Sequence, residues 1–322
     1  MYDIIGDIHG YADALKLLLS KLGYSPANGV WQHPERKVIF LGDFVDRGPQ
    51  QIETLSIAQA MVEAGHALAV MGNHEFNAVA WATPNAEQPG QFLRSHSEKN
   101  HHQHSAFLNQ IGEGSAAHQQ AIAWFKTLPL FLELDGIRVI HACWHTRYIE
   151  LLKPLLDEKN TIQPQAWPVL CDEQSEPYEA LETLLKGMEI PLPNGTSFAD
   201  KDGHIRTRTR TRWWQEGQYL TYRDLAMVPP AVIEQLSHEP VPAELQPGYS
   251  GDKPLFIGHY WMSGTPHLLT NHLACLDFSI AGSNPDTAKL CAYQWHGEQT
   301  LKPEHLLWVH RQESEDFYAL TQ

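Results

Sequence analysis

The sequence predicts an α/β fold with a mostly parallel sheet, and two observations carry that prediction. Five short apolar runs, at residues 2–5, 38–41, 68–71, 137–140 and 255–257, each stop at a glycine or a polar residue. Runs of this length with such an ending read as buried strands. Between the first three runs lie stretches with apolar residues at helical spacing. Strand, turn and helix therefore alternate, which implies parallel strands with helical cover.

Taken in order, the run at 2–5 ends in Gly6-Asp7-Ile8-His9-Gly10. Residues 13–22 then carry apolar side chains at helical spacing and stop at Gly23, as a glycine-closed helix does. The run at 38–41 leads into Gly42-Asp43-Phe44-Val45-Asp46-Arg47-Gly48-Pro49, and residues 50–64 form a second helical pattern ending at Gly65. The run at 68–71 leads into Gly72-Asn73-His74-Glu75. A polar stretch from 83 to about 119 breaks the rhythm, and Pro84, Pro89 and Gly90 mark it as loop. Residues 121–128 look helical again, and His141 follows the run at 137–140. A longer interruption at about 146–252 contains many of the prolines, with 178–185 its best helix. Gly258-His259 follows the run at 255–257, and strand-like runs at 273–280 and 289–295 come last.

At 322 residues the chain is long enough for one large or two smaller domains. The expectation is one domain over 1–322, with insertions at about 83–119 and 146–252 that pack over the site rather than fold apart. A hydrophobic content of 43% and ten Trp are ample for a core. The net charge of −15 argues against a broad surface for nucleic acid or anionic membrane. It leaves room for an anionic substrate, because bound metal ions supply local positive charge. Cys143, Cys171, Cys275 and Cys291 are far apart and form no CxxC pair, which reads as buried free thiols in a reducing compartment. The first strand leaves no room for a signal peptide, and no apolar stretch reaches membrane-spanning length, so a cytoplasmic protein is expected.

The polar residues just past the strand ends are Asp7, His9, Asp43, Asn73, His141 and His259. Open α/β sheets build their sites there. Carboxylate, imidazole and amide together suit borderline or harder divalent ions. Each piece alone has a plainer explanation: Asp7 or Asp43 as a helix cap, Gly48-Pro49 as a helix start. All five motifs in one order are far more specific. With them the chain resembles the phosphoprotein phosphatase type of metallophosphoesterase, the family of the Ser/Thr phosphatases and the diadenosine tetraphosphatases. At motif level the resemblance covers residues 1 to about 75, 134–145 and 254–259.

That resemblance implies a four-layer α/β/β/α sandwich, two sheets packed together with helices outside. It implies two divalent ions, Mn²⁺ first, with Fe, Zn or Mg as alternatives. Asp7 and His9 would hold one ion, Asn73, His141 and His259 the other, and Asp43 would bridge them. A bridging hydroxide would attack phosphorus in line. His74 would then be the general acid, with Asp46 orienting it and raising its pKa, and Arg47 would clamp the phosphate. Glu75 is expected to support the ligands from behind.

Other candidates compete with plainer readings. Arg206, Arg208, Arg210 and Arg212 alternate with Thr207, Thr209 and Thr211, so an extended strand puts the four Arg on one face. A charged edge strand explains this as well as a phosphate contact does; Arg210 or Arg212 is the expected contact, with the Thr side chains dispensable. Trp213-Trp214 reads as core packing before base stacking. His145, four residues after His141, is either a substrate contact or structural. The cluster of Arg94, His96, Lys99, His101, His102 and His104 could fold back over the metals, but a mixed polar helix surface is the plainer reading.

The expected function is metal-dependent hydrolysis of a phosphate monoester, either phosphoprotein or a small phosphate ester. Asp46-Arg47 and Glu75 look more like the protein-phosphatase branch than the bacterial diadenosine tetraphosphatases. A dinucleoside polyphosphatase and a nucleotide or nucleic-acid-end phosphatase remain as alternatives. A metal-bound scaffold without turnover is a remoter one. No membrane or extended nucleic-acid partner is expected.

Overall fold

A computed structural model describes residues 1–199, 205–217 and 219–319. Of the expected insertion at 146–252, residues 200–204 and 218 lie outside the described residues.

Along the chain, β1 (Tyr2–Ile5) leads to α1 (Ala12–Lys21), β2 (Lys37–Phe40) to α2 (Gln51–Glu63), and β3 (Ala67–Ala69) to α3 (Asn73–Ala82). Helices α4 (Glu98–Ile111) and α5 (Ala116–Phe125) follow, then the hairpin β4 (Phe131–Glu133) and β5 (Arg138–Ile140). Next come α6 (Thr146–Leu152), α7 (Glu176–Lys186) and the antiparallel pair β6 (Glu189–Pro191) and β7 (Arg208–Arg210). The chain then runs through β8 (Leu255–Ile257), β9 (Leu273–Cys275), β10 (Asp277–Phe278), β11 (Lys289–Trp295), β12 (Leu306–His310) and α8 (Arg311–Ala319).

One sheet has the order β10-β11-β1-β2-β3, with β12 also on β11. Its β1–β2 and β2–β3 pairs are parallel, and β11 runs antiparallel to β1. The second sheet has the order β9-β8-β5-β4, parallel across β9-β8-β5 and antiparallel at β4.

Alternation along the strands makes the layers. Successive strand residues point to opposite faces. Ile4, Ile39, Val139, Phe256 and Ala274 from both sheets share one buried cluster with Cys291 and Tyr293. Their neighbours Ile5, Phe40, Ile140 and Ile257 belong to a second cluster with the helix residues Leu15, Leu18, Ala58 and Val79. Two sheets packed face to face with helices on the outside are the four-layer α/β sandwich.

The polar stretch after residue 83 is not loop throughout. It contains the 14-residue helix α4, capped by Ser97, whose hydroxyl accepts from Asn100 N. Helix α4 buries His104, Phe107, Leu108 and Ile111, a spacing of three, one and three residues. The apolar stripe was hard to see because a His fills one of its positions. From the 146–252 segment, Ile149, Leu152, Trp167, Leu181, Leu184, Trp213 and Trp214 all join the helix-side cluster. Residues further along form two small clusters, one of Ile190, Leu225 and Val241, the other of Leu192, Ala226 and Leu236. Among the described residues, no helix is long and apolar enough to cross a membrane.

Candidate metal centre

Four of the five motifs lie on turns just past strand ends, the third opens helix α3 at Asn73, and the turns are tight. His9, Asp43, Asp46, Arg47, His259 and Trp261 all have positive φ, among nine non-glycine residues described with that conformation. Such backbone costs energy for residues with a β-carbon and concentrates at functional sites. Gly42, at φ +89°, is needed for a second reason: a β-carbon there would lie 2.4 Å from Gly72 N. The turns after β2 and β3 touch through that glycine.

Backbone carbonyls set the tautomers of two histidines. His9 Nδ1 lies 3.0 Å from Val45 O, and His141 Nδ1 lies 2.6 Å from Leu41 O. A carbonyl only accepts, so each Nδ1 donates, and each Nε2 is left as a lone-pair donor for a cation. Asp43 Oδ2 stands between them, 3.7 Å from His9 Nε2 and 3.4 Å from His141 Nε2. Donor atoms of His9, Asp43 and His74 lie within 4.8 Å of one another, as do those of Asp43, His141 and His259. Asp43 belongs to both groups. Asn73 Oδ1 is 3.2 Å from His141 Nε2, and Asp7 Oδ2 accepts from His259 N at 3.0 Å.

Three buried atoms in this cluster have no hydrogen-bond partner: Asp7 Oδ1, His9 Nε2 and His259 Nε2. Buried polar atoms are rarely left so. One carboxylate oxygen and two imidazole nitrogens, converging on a second carboxylate, are the donors a divalent ion takes. The residues therefore fit a pair of divalent ions that share Asp43.

Electrostatics point the same way. Burial lowers the His9 pKa, the neighbouring His74 lowers it further, and Asp43 offsets part of this, leaving it at about 4. Burial and then the Arg210 charge hold His259 well below its ordinary value, so it too is neutral. At His141 burial is outweighed by Asp43, and the pKa rises to about 10. The field that favours a proton at His141 equally favours a metal cation.

Beside the metal cluster, His74 Nδ1 is 2.5 Å from Asp46 Oδ2. Burial disfavours charge on His74, yet Asp43 and the bond to Asp46 raise its pKa. Asp46 is held well below the carboxylate range: burial opposes this, and hydrogen bonds from His104 and His74 overcome it. Glu75 ties the two turns together. Its Oε2 accepts from Asp43 N at 2.8 Å and Gly72 N at 3.0 Å, and its Oε1 from Phe44 N at 2.8 Å. Those donors favour the carboxylate, while burial and Asp43 push its pKa up to about 7. Arg47 is exposed at the rim, with its guanidinium 5.5 Å from the centroid of the Trp261 ring.

The remaining candidates separate. Arg210 is the member of the Arg row whose charge bears on His259. Arg212 instead donates to the carbonyls of Asp224 and Ala226, both at 3.2 Å. The expectation of dispensable threonines is corrected for two of the three: Thr209 is 2% exposed, and Thr211, fully buried, donates to Met188 O. The row is broken between two short strands, and Thr209 and Thr211 pack while Thr207 is exposed. His145 caps α6 by accepting from Tyr148 N at 3.4 Å and stacks on Tyr148. Trp213 and Trp214 are core, with Trp213 Nε1 donating to Tyr260 OH at 2.8 Å.

Three residues at the site escaped sequence reasoning. His104 from α4 reaches Asp46 Oδ1 at 2.7 Å, which corrects the helix-surface reading at that position, whereas His96, Lys99, His101 and His102 are exposed. Asp277, buried in β10, accepts from Trp261 N at 2.7 Å and Ser279 N at 2.9 Å and so holds the turn that carries His259. Trp261 stands with its ring centroid 6.0 Å from that of His9. The one signal for Asp277 was a carboxylate inside an otherwise apolar run.

A four-layer sandwich with a two-part cluster of metal donors at its strand ends defines a metallophosphoesterase architecture. The calcineurin-like phosphoesterase model matches residues 2–261, and the chain belongs to that family. Curated relatives include a protein of Oceanobacillus iheyensis named bis(5'-nucleosyl)-tetraphosphatase PrpE, 32% identical over 141 residues, or 44% of this chain and 54% of the relative. Its namesake in Bacillus subtilis is 47% identical over 74 residues, 23% of this chain and 30% of the relative. The chain thus spans about half or less of the length of the curated relatives it matches. Among solved structures, a putative diadenosine tetraphosphatase aligns with a TM-score of 0.47 and 14% identity over 96% of this chain and 92% of its own. A cold-active protein-tyrosine phosphatase of a psychrophilic Shewanella aligns with a TM-score of 0.46 and 17% identity over 91% and 75%.

Proposed function

We propose that this chain hydrolyses phosphoric esters with two divalent metal ions, Mn²⁺ first among them. The observation that supports it most is the trio of unpartnered buried atoms on Asp7, His9 and His259 around Asp43. Asp7, His9 and Asp43 would hold one ion, and Asp43, Asn73, His141 and His259 would hold the other. Divalent ions held there supply Lewis acidity and lower the pKa of water.

The chain's own residues do the rest. His74, protonated on both nitrogens, keeps Nδ1–H on Asp46 and offers Nε2–H to the departing ester oxygen. Asp46 orients the ring and favours its charged form. Arg47 binds the phosphoryl oxygens from the rim, where a guanidinium fork matches two of them. Arg210 makes a second contact from the side of His259. Glu75 keeps the turns of Asp43 and Gly72 at fixed separation. The 146–252 segment shapes the space for the leaving group and so selects substrate within a single domain.

A phosphate monoester, on a protein or a small molecule, suits a site with a positioned acid for poor leaving groups. Dinucleoside tetraphosphates are the second substrate class, favoured by the names of the relatives. The test is turnover of p-nitrophenyl phosphate with Mn²⁺, with and without chelator, followed by competition among a phosphopeptide, diadenosine tetraphosphate and mononucleotides. Chelator-sensitive turnover is expected. No metal-dependent turnover of any of these compounds would leave a metal-binding scaffold as the better description. His74→Asn should cost most on esters with poor leaving groups, and an equal loss on all of them would remove His74 as the acid.

A further inference from the structure

We propose that His104 is a positioning residue that holds Asp46 as the centre of a His104–Asp46–His74 chain. The proposal rests on the reading of His74 as the proton donor. Both Asp46 oxygens are engaged by imidazole: Oδ2 by His74 Nδ1 at 2.5 Å and Oδ1 by His104 Nδ1 at 2.7 Å. Asp46 is only 2% exposed, so no bulk water competes for either oxygen. An ionised carboxylate only accepts, so both Nδ1 atoms carry hydrogen.

The carboxyl group is fixed at its other end as well. Its backbone has a φ of 69°, and its amide donates to Gln51 Oε1 at 2.7 Å. What remains free is rotation of the carboxyl plane. With His74 alone, that plane can turn and carry the His74 ring with it. A second charge-assisted bond on the opposite oxygen locks it. His104 is well placed to be rigid. It is 5% exposed, on a helix whose Phe107, Leu108 and Ile111 are buried, and its ring packs 5.1 Å from Phe107 and 6.1 Å from Trp81. Helix α4 thereby connects to the acid without touching a metal donor.

This arrangement answers why a polar ring occupies a core-facing position of α4. A Leu there would fill the space and leave Asp46 Oδ1 without a partner in a buried place, at a cost to the geometry of the pair. Asn would be different. Its Nδ2 falls where His Nδ1 does and restores the donor.

The experiment compares His104→Leu with His104→Asn. On an alkyl phosphate, His104→Leu should lower kcat about tenfold or more, a fraction of what a positioned acid supplies. KM and bound Mn²⁺ should stay near wild type, while the unpartnered buried Asp46 oxygen should lower the melting temperature of His104→Leu and not that of His104→Asn. The loss on p-nitrophenyl phosphate should be under about threefold, because that leaving group needs little proton assistance. His104→Asn should recover most of the lost rate. Equal losses on both esters, or no recovery with Asn, overturn the proposal. A second measurement does not depend on turnover or on a variant that folds. In the wild-type protein the Nδ1 protons of His74 and His104 should each give a downfield imidazole N–H signal in proton NMR. Absence of the His104 signal overturns the proposal even if the chain hydrolyses nothing. Failure of the His74 reading shows separately, as a lack of leaving-group dependence in His74→Asn.

Discussion

Gly258 stands against Asp7 so closely that a β-carbon at 258 would lie 2.1 Å from Asp7 Oδ1. That oxygen is one of the buried atoms without a partner, and Asp7 Oδ2 already accepts from His259 N. The glycine before the last histidine is therefore required by the carboxylate at the other end of the motif set. Gly258→Ala should push Asp7 aside, costing about 1–3 kcal/mol of stability as overpacking does. Metal affinity should fall at least about tenfold, as it does when a ligand's support is disturbed. Calorimetric titration with Mn²⁺ reads this, and an affinity equal to wild type in a folded variant would show that Asp7 is no ligand.

Asp43 is the residue common to both groups of donor atoms. Asp43→Asn keeps the shape and the Oδ1 acceptor for His74 N but removes the charge that both groups share. Both ions should weaken together, so metal analysis after gel filtration should find neither ion retained, in place of two. Retention of one ion at full occupancy would mean that Asp43 serves only one of the two sites.

Much of this site was readable in the sequence because the candidate donors sit within five residues of a strand end. Glycine spacing, strand and polar residue are then all local, and their positions past parallel strands bring them to one edge. His104 was not readable, because 58 positions separate it from Asp46 and only the packing of α4 joins them. The Arg-Thr row failed for a related reason. Alternation shows that two faces exist, yet which face is buried depends on Met188 and Met227, whose carbonyls receive the Thr hydroxyls. Pro84, Pro89 and Gly90 mark the polar stretch after residue 83 as loop, and the extent of α4 behind them was hidden because histidine and amide side chains interrupt its stripe. His145 was open between a substrate contact and a structural role, and the bond from Tyr148 N shows a helix cap that no local pattern marks.

The cysteines carry a prediction about reactivity. Burial pushes the Cys171 thiol up to about 12, with Arg94 offsetting part of the rise, and Cys143 and Cys275 are also raised by burial. The thiolate is the reactive form, so a rise from 9.0 to about 12 cuts the reactive fraction at pH 8 about a thousandfold. Raising pH restores it, at most about tenfold per unit until the pKa is reached. A disulfide-exchange dye should label the native protein slowly at pH 8 and all four thiols at once in denaturant. Fast labelling of Cys171 in the native protein would mean that the surface around it opens.

The Arg-Thr row yields a contrast between neighbours. Thr211→Val removes a buried hydroxyl that donates to Met188 O at 3.2 Å, and should cost about 1 kcal/mol in denaturant unfolding. Arg212→Ala frees two carbonyls, of Asp224 and Ala226, and should cost about 1–2 kcal/mol. Neither change should alter KM beyond about twofold, because neither side chain is turned to the metal cluster. Arg210→Ala should behave in the opposite way. Its charge acts on His259, so removing it should raise KM for dianionic esters about tenfold, the value of one charge-assisted contact at an open site. Stability and metal content should stay the same. KM values that rise equally in Arg210→Ala and Arg212→Ala would mean that the row acts on substrate only through the fold of the segment that carries it.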